Sequence, residues 1–270
     1  KPIYLKENRG AQHARNVGIE QAKGECFIFF DADDMLSDSA IENRVKKLEA
    51  DDKLDFVVSG SGIIKKDKKI KKSIFDLSKS SFDDDLDAFL TNDIPWVTAQ
   101  PTWRRSAIEK IGKWDENLLA LQDQDYSIRA LCLNLAYTKI HEIDCFWRVD
   151  AEKSISKSGF KINILNSHEY FLDKIYHLLQ EHNKDTRKKL NYLASRYFWL
   201  AQLNVRRNDY QKGYNKYWKK VKEKGLTNHL VYVLVKIYFN IVGNKYLLRI
   251  YRLFFRKYIF KKTRIKIDAF

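Results

Sequence analysis

Three carboxylates, Asp31, Asp33 and Asp34, fall within four positions of "CFIFFDADDML", directly behind a run of β-forming residues. Carboxylates that close repel one another unless positive charge lies between them, so the cluster raises the question of what neutralises it. A second acidic pair, Asp123 and Asp125, lies in "DQDYSIRALCLNLAY", with Arg129 downstream. At i and i+2 of a helix the two side chains point to different faces. Such acids can take a proton from a reacting hydroxyl, or can simply be the residues a helix dipole favours at its N-terminus. Other chemistries lack their residues. The six histidines show no HxxxH pairing with a nearby acid, which zinc would need, and no helix-opening Lys-Ser/Thr follows "GSG" at 60–62 to make it a phosphate loop. Cys26, Cys132 and Cys145 are scattered in apolar surroundings without CxxC spacing and read as buried free thiols.

These side chains need elements to hold them. "PIYLKE" reads as a short strand, and "NRGAQHARNVGIEQAKGE" as a loop and a helix whose Ala14, Val17, Ile19 and Ala22 form a partly apolar face. Residues 26–30 form a continuous apolar run, the mark of a strand buried on both sides, so the opening predicts a βαβ unit. In an open α/β sheet ligands sit at the carboxyl ends of strands, where "DADD" falls. An amphipathic helix over 38–50, a strand "DFVVSGSGII" with a lysine-rich hairpin tip, and a helix start at "SFDDDLDAFL" come next. A helix closed by Gly112, a helix in "DQDYSIRALCLNLAY" and a strand "AYTKIHEIDCFWRV" complete the pattern. Beyond about residue 160 the chain reads as helix after helix.

At 270 residues the chain can bury a sizeable core, and its 44% hydrophobic content excludes a disordered protein. The net charge of +15 is concentrated: between Asp209 and Phe270 stand 16 Lys or Arg against three acids. That tail points to an anionic surface or to a solvated helical face. Its longest apolar run, Leu230 to Val235, is too short to span a bilayer; it fits a helix lying in the membrane interface, or one packed on the protein or a partner. The chain opens on Lys1 without a signal-type apolar run, and the expectation is a cytoplasmic location, peripheral on the cytoplasmic face of the membrane, or a fragment.

"NRGAQHARNVGIEQAKGECFIFFDADD" closely resembles a block of family 2 glycosyltransferases of the GT-A fold, N-x-G-x-x-x-A-R-N-x-G-I-x-x-A-x-G-E followed by an apolar strand and D-x-D-D. "RRSAIEKIGKWDENLLALQDQDYSIRAL" is similar to that family's second block, and "FWRVDAEKSIS" to its Y-R-x-H-x-x-S-I-S block. Gln122 stands where the second block has an acid, and Asp150 falls near the third block's His. The family's first strand, ending P-T-Y-N, and second, ending D-D-G-S, are not in this sequence. The resemblance implies an α/β fold, a mixed sheet flanked by helices with a helical C-terminal region. A GT-A catalytic domain, N-terminally truncated, would span 1–160 and a basic helical region 161–270.

The resemblance also implies roles. The cation would be Mg²⁺ or Mn²⁺, bound by Asp33 and Asp31 and shared with the diphosphate of a nucleotide sugar, expected to be a UDP-sugar. Asp31 would hold ribose or metal, with Asp34 a supporting neighbour. Asp123 would be the base, with Asp125 the alternate. Arg15 and Asn16 resemble residues lining the donor pocket, Arg15 meeting phosphate or base or else anchoring its loop. Arg148 would approach the diphosphate or form a structural ion pair. Trp96, Gln100 and Trp103 stand where acceptor-binding groups come from, although either Trp reads equally as core. The implied activity is inverting, metal-dependent transfer of a sugar to a cell-surface polysaccharide or lipid-linked glycan, with no nucleic acid bound. A silent truncated homologue acting as a scaffold, or a basic nucleic-acid-binding module, are the competing readings.

Overall fold

The computed structural model describes residues 2–65, 68–70, 84–148, 162–205, 214–241 and 246. The chain divides into two compact units, residues 1–89 with 93–164, and residues 90–92 with 165–270. The first carries every residue singled out above for chemistry.

Its helices are α1 (Ala11–Gln21), α2 (Ala40–Glu49), α3 (Asp85–Thr91), α4 (Arg105–Ile111) and α5 (Gln122–Cys132). Its strands are β1 (Cys26–Phe27), β2 (Met35–Leu36), β3 (Phe56–Lys65), β4 (Lys68–Ile70), β5 (Pro101–Arg104) and β6 (Tyr137–Arg148). The sheet runs β1-β5-β3-β6-β2, with β4 paired to β3. It is mixed, as expected: β3 and β6 are parallel and the other pairs antiparallel. On the sheet sits an aromatic core in which Phe56 stacks on Trp103 at 4.3 Å and on Tyr137 at 4.8 Å, with Trp96 edge-on. A second aromatic group joins Phe29, Trp114 and Tyr126, the last two stacked at 4.3 Å. Beside the sheet, Arg44 of α2 is fully buried; its Nε donates to Asp144 of β6 at 2.9 Å and its Nη1 to the Ala99 carbonyl at 2.9 Å.

Three local expectations change. "PIYLKE" is not a strand: residues 2–5 are exposed and unpaired with the sheet, and an extended segment is a strand only when a neighbour takes its backbone groups. The run 26–30 pairs only over Cys26–Phe27, and its burial alternates through the buried Phe27 and Phe29 to the exposed Phe30. The reason is position: among the described residues β1 has one strand neighbour, the antiparallel β5, and the expected opening βαβ unit is not formed. Finally, α1 buries not an apolar stripe but Gln12 and Asn16, while Ala14 is exposed.

The second unit is helical, as its patterning predicts. It contains α6 (Ile162–Glu181), α7 (Arg187–Val205), a π-helical turn Tyr214–Trp218 running into α8 (Lys219–Glu223), and α9 (His229–Ile241). Trp218, Phe198 and Tyr238 are buried within it. Lys220 bridges Glu169 at 2.6 Å and Asp173 at 2.8 Å. Among the described residues no helix is long and apolar enough to cross a membrane. The cationic tail beyond Ile241, apart from Tyr246, lies outside the described residues.

Candidate active site

The acidic cluster is a turn in which the Asp34 N–H donates to the Asp31 carbonyl at 3.1 Å. Immediately after it, β2 pairs with β6, Met35 opposite Phe146 and Leu36 opposite Cys145. At the end of β6 Arg148 grips the turn twice, its N–H donating to Asp34 Oδ1 at 3.3 Å and its Nε to the Asp33 carbonyl at 3.2 Å. The turn is therefore held by its backbone, which leaves the Asp31 and Asp33 side chains exposed. Asp34 is half-buried. Burial pushes its carboxyl up to about 6, the Arg148 N–H opposes that shift, and the charges of Asp31 and Asp33 add to it.

Facing these carboxylates is Arg15 of α1. Its Nη2 donates to Asp31 Oδ1 at 2.8 Å, and its guanidinium lies over the Trp114 ring, 4.7 Å from the centroid. Its Nη1 is buried and has no partner among the described residues, and a buried donor left without a hydrogen bond costs about 1–3 kcal/mol. Asp123 lies in the first turn of α5, behind Leu121, which adopts a left-handed φ of 64°. Its Oδ1 accepts from the Gln124 N–H at 2.9 Å. Burial raises the Asp123 carboxyl above its usual range; the Gln124 N–H and the Arg15 charge pull it down, and Asp31 pushes it up. Asp31, Arg15 and Asp123 therefore lie within electrostatic reach of one another, although they come from three separate segments.

Other expected residues are placed elsewhere. Asp125 is buried, its Oδ2 accepting from Arg129 Nε at 3.0 Å, and Arg129 also donates to the Ile111 and Lys113 carbonyls. This carboxylate ties α5 to the end of α4 and faces away from Asp123, as spacing at i, i+2 requires. Trp96, Gln100 and Trp103 are 1%, 0% and 2% exposed and offer no surface to an acceptor. Both tryptophans belong to the aromatic core. Gln100 fastens backbone, donating to the Ser59 carbonyl at 2.7 Å and accepting from the Val97 N–H at 2.9 Å. Asn16 is 4% exposed and its amide is fully used: Nδ2 donates to the Trp114 carbonyl and to Glu116 Oε1, both at 2.9 Å, while Oδ1 accepts from the Trp114 N–H at 2.7 Å. It holds structure beside the site, with no donor spare for a ligand.

Sequence reasoning passed over Gln12, which donates to the Leu118 carbonyl, and Glu116, which receives Asn16 and His13. Their signal was an amide pair at i, i+4 on one helix, facing "WDENL". Among the described residues no group of three or more His, Cys, Asp or Glu is placed to hold a metal ion by protein ligands alone.

Residues 1–112 match the family described as Glycosyl transferase family 2. An uncharacterized glycosyltransferase of Bacillus subtilis (strain 168), YwdF, is 29% identical over 134 residues, covering 47% of each chain. An uncharacterized glycosyltransferase of Methanocaldococcus jannaschii is 26% identical over 207 residues, covering 73% of this chain and 63% of the relative. The matches thus span about half to two thirds of these relatives' lengths.

Proposed function

From the premise that its N-terminal segment belongs to glycosyl transferase family 2, we propose that this chain moves a hexose from a nucleotide-sugar donor, a UDP-sugar, to a glycan or lipid-linked acceptor with inversion. The observation that carries this is the grouping of Asp31, Arg15 and Asp123, with Arg15 Nη1 buried and unpaired among the described residues. An unpaired guanidinium nitrogen is suited to a phosphate oxygen. Arg15 is then the group that receives the donor's diphosphate, held ready by Asp31 on one side and the Trp114 ring on the other.

The turn suits a hard divalent cation. Carboxylate oxygens are its preferred ligands, Asp31 and Asp33 are exposed, and the three carboxylates of the turn lie within four positions of one another. Mg²⁺ commonly uses one or two carboxylates and takes its remaining ligands from phosphates and water, so no closed protein cage is needed. When bound, the ion supplies Lewis-acid stabilisation of charge on the departing nucleoside diphosphate. Asp33 and Asp31 would hold it, and Arg148 keeps their turn in place. Asp123 takes the proton from the acceptor hydroxyl; a carboxyl raised by burial is a stronger base than an ordinary one, and a base works best with a pKa nearer the working pH. Inversion follows when that hydroxyl attacks the anomeric carbon from the side opposite the leaving phosphate. The acceptor would be presented at a membrane, with the basic C-terminal tail against anionic headgroups on the cytoplasmic face.

Hydrolysis of a panel of nucleotide sugars in the presence of Mn²⁺ tests this reading. Asp33→Ala and Asp123→Asn are each expected to lower turnover by at least about 100-fold, the first by removing a ligand of the cation and the second by removing the positioned base. Absence of turnover by the wild type with every donor, together with absence of nucleotide binding, would leave the chain a silent homologue. A gel shift with nucleic acid at moderate salt would instead favour the nucleic-acid reading.

A further inference from the structure

One contact system is not explained by the donor or the base. The segment Trp114–Leu118 is laced to α1 at successive turns: Gln12 donates to the Leu118 carbonyl, His13 Nδ1 sits 3.1 Å from Glu116, and Asn16 forms its three hydrogen bonds to Trp114 and Glu116. Arg9, just before the helix, adds a contact to Glu116 at 3.3 Å. Glu116 is where these contacts converge, and hydrogen bonds from Asn16 and then His13 hold its carboxyl below the usual range.

The consequence concerns two residues on either side of this lacing. Arg15 adjoins Asn16 in α1 and rests on the Trp114 ring. Asp123 stands in the first turn of α5, a few residues after Leu118, and Trp114 stacks on Tyr126 of α5 at 4.3 Å. Trp114 is therefore shared by the element carrying Arg15 and the element carrying Asp123. Its backbone is fixed by the Asn16 amide, whose Oδ1 accepts from the Trp114 N–H while Nδ2 donates to the Trp114 carbonyl; Glu116 takes the second Nδ2 hydrogen and so anchors that amide to the same segment.

Building on the transferase reading above, we infer that Glu116 and Asn16 are positioning residues that hold the donor-side Arg15 and the base Asp123 in a fixed relation through Trp114, while touching neither substrate. Misplacement of reacting groups by about 1 Å can cost on the order of 100-fold in rate, whereas a partly exposed carboxylate contributes little to stability. The two effects are therefore separable.

The test is steady-state kinetics of the full chain with a nucleotide sugar and Mn²⁺, beside thermal unfolding. Glu116→Ala is expected to lower kcat about 10- to 100-fold with the donor KM within about threefold of wild type and Tm nearly unchanged. Glu116→Gln keeps an oxygen for Asn16 Nδ2 and is expected to recover most of kcat despite losing the charge that faces Arg9 and His13. Asn16→Ala should match Glu116→Ala, and the double variant should be no worse than the worse single, because both break one link. Wild-type kcat in Glu116→Ala overturns the inference, as do multiplying losses in the double variant, or a Gln variant no better than Ala with activity tracking the folded fraction. If the wild type itself turns over no donor, the transferase reading falls and takes this inference with it; if the wild type is active and Glu116→Ala is unaffected, only this inference falls.

Discussion

Arg15 shows how much one side chain contributes beyond its charge. Its fork places one nitrogen on Asp31 and leaves the other buried and, among the described residues, unpaired, while its flat face covers Trp114. Lysine carries the same charge but has neither the second nitrogen nor the planar face. A hydrogen bond to a charged group is worth about 1.5–3 kcal/mol, so Arg15→Lys is expected to weaken binding of a nucleoside diphosphate about tenfold or more. Isothermal titration with UDP and Mn²⁺ measures it, with Tm as the control. Unchanged affinity would mean that Arg15 anchors its loop and meets no phosphate. The role of this arginine was legible in "ARN" only as a pair of alternatives, because the sequence does not reveal which nitrogens the fold satisfies. The same blindness applied to Asn16, Gln100 and the two tryptophans: polar or aromatic character marks what a residue can bind, and burial decides what it does bind.

At the scale of elements, what reads along the chain was recovered and what depends on neighbours was not. Gly112, with φ of 81°, ends α4 where a left-handed residue is needed, and α5 begins at its acidic first turn. The buried face of α1 escaped the search for apolar periodicity because its partners are carbonyls and a carboxylate about 100 positions away. The bulge in the parallel pair was equally hidden. Ser59 pairs with Ile140 but Ser61 with Cys145, so the far half of β6 runs ahead of its partner and arrives with Arg148 beside the acidic turn. Gly60 sits at that shift, and a Cβ there would lie 2.9 Å from the Glu142 carbonyl oxygen. Backbone cannot yield cheaply, and overpacking of this kind costs about 1–3 kcal/mol, so Gly60→Ala should lower Tm by several degrees in thermal circular dichroism. Gly18, inside α1, is the contrasting site, since a Cβ added there would meet nothing within 4 Å. Gly18→Ala should raise Tm slightly, because helical glycine costs about 0.5–1 kcal/mol relative to alanine. A similar loss at both positions would show that the close approach at the bulge is not what sets the effect at Gly60.

For the whole molecule, the question is where the excess positive charge goes. Three of the cations counted from Asp209 onward are already committed: Lys216 pairs with Glu169 at 2.9 Å, Lys220 with Glu169 and Asp173, and Lys224 with Asp173 at 3.2 Å. These ion pairs fasten the helical unit and commit those three cations within it. The cations of "RKYIFKKTRIK" are different: from Arg256 to Lys266 the sequence holds no acid at all. A headgroup contact should therefore depend on this stretch and not on the earlier lysines. A basic residue near an anionic bilayer contributes about 1 kcal/mol, so replacing Lys261, Lys262, Arg264 and Lys266 together by Gln should weaken binding to phosphatidylserine-containing vesicles by about three orders of magnitude at low salt. Lys216→Gln with Lys220→Gln should instead lower the Tm of the helical unit while leaving vesicle binding nearly intact. Co-sedimentation at low and high salt separates the two, because headgroup attraction is screened within a Debye length. Equal recovery with neutral and anionic vesicles would sink the membrane assignment, since the charge would then have no anionic surface to explain it.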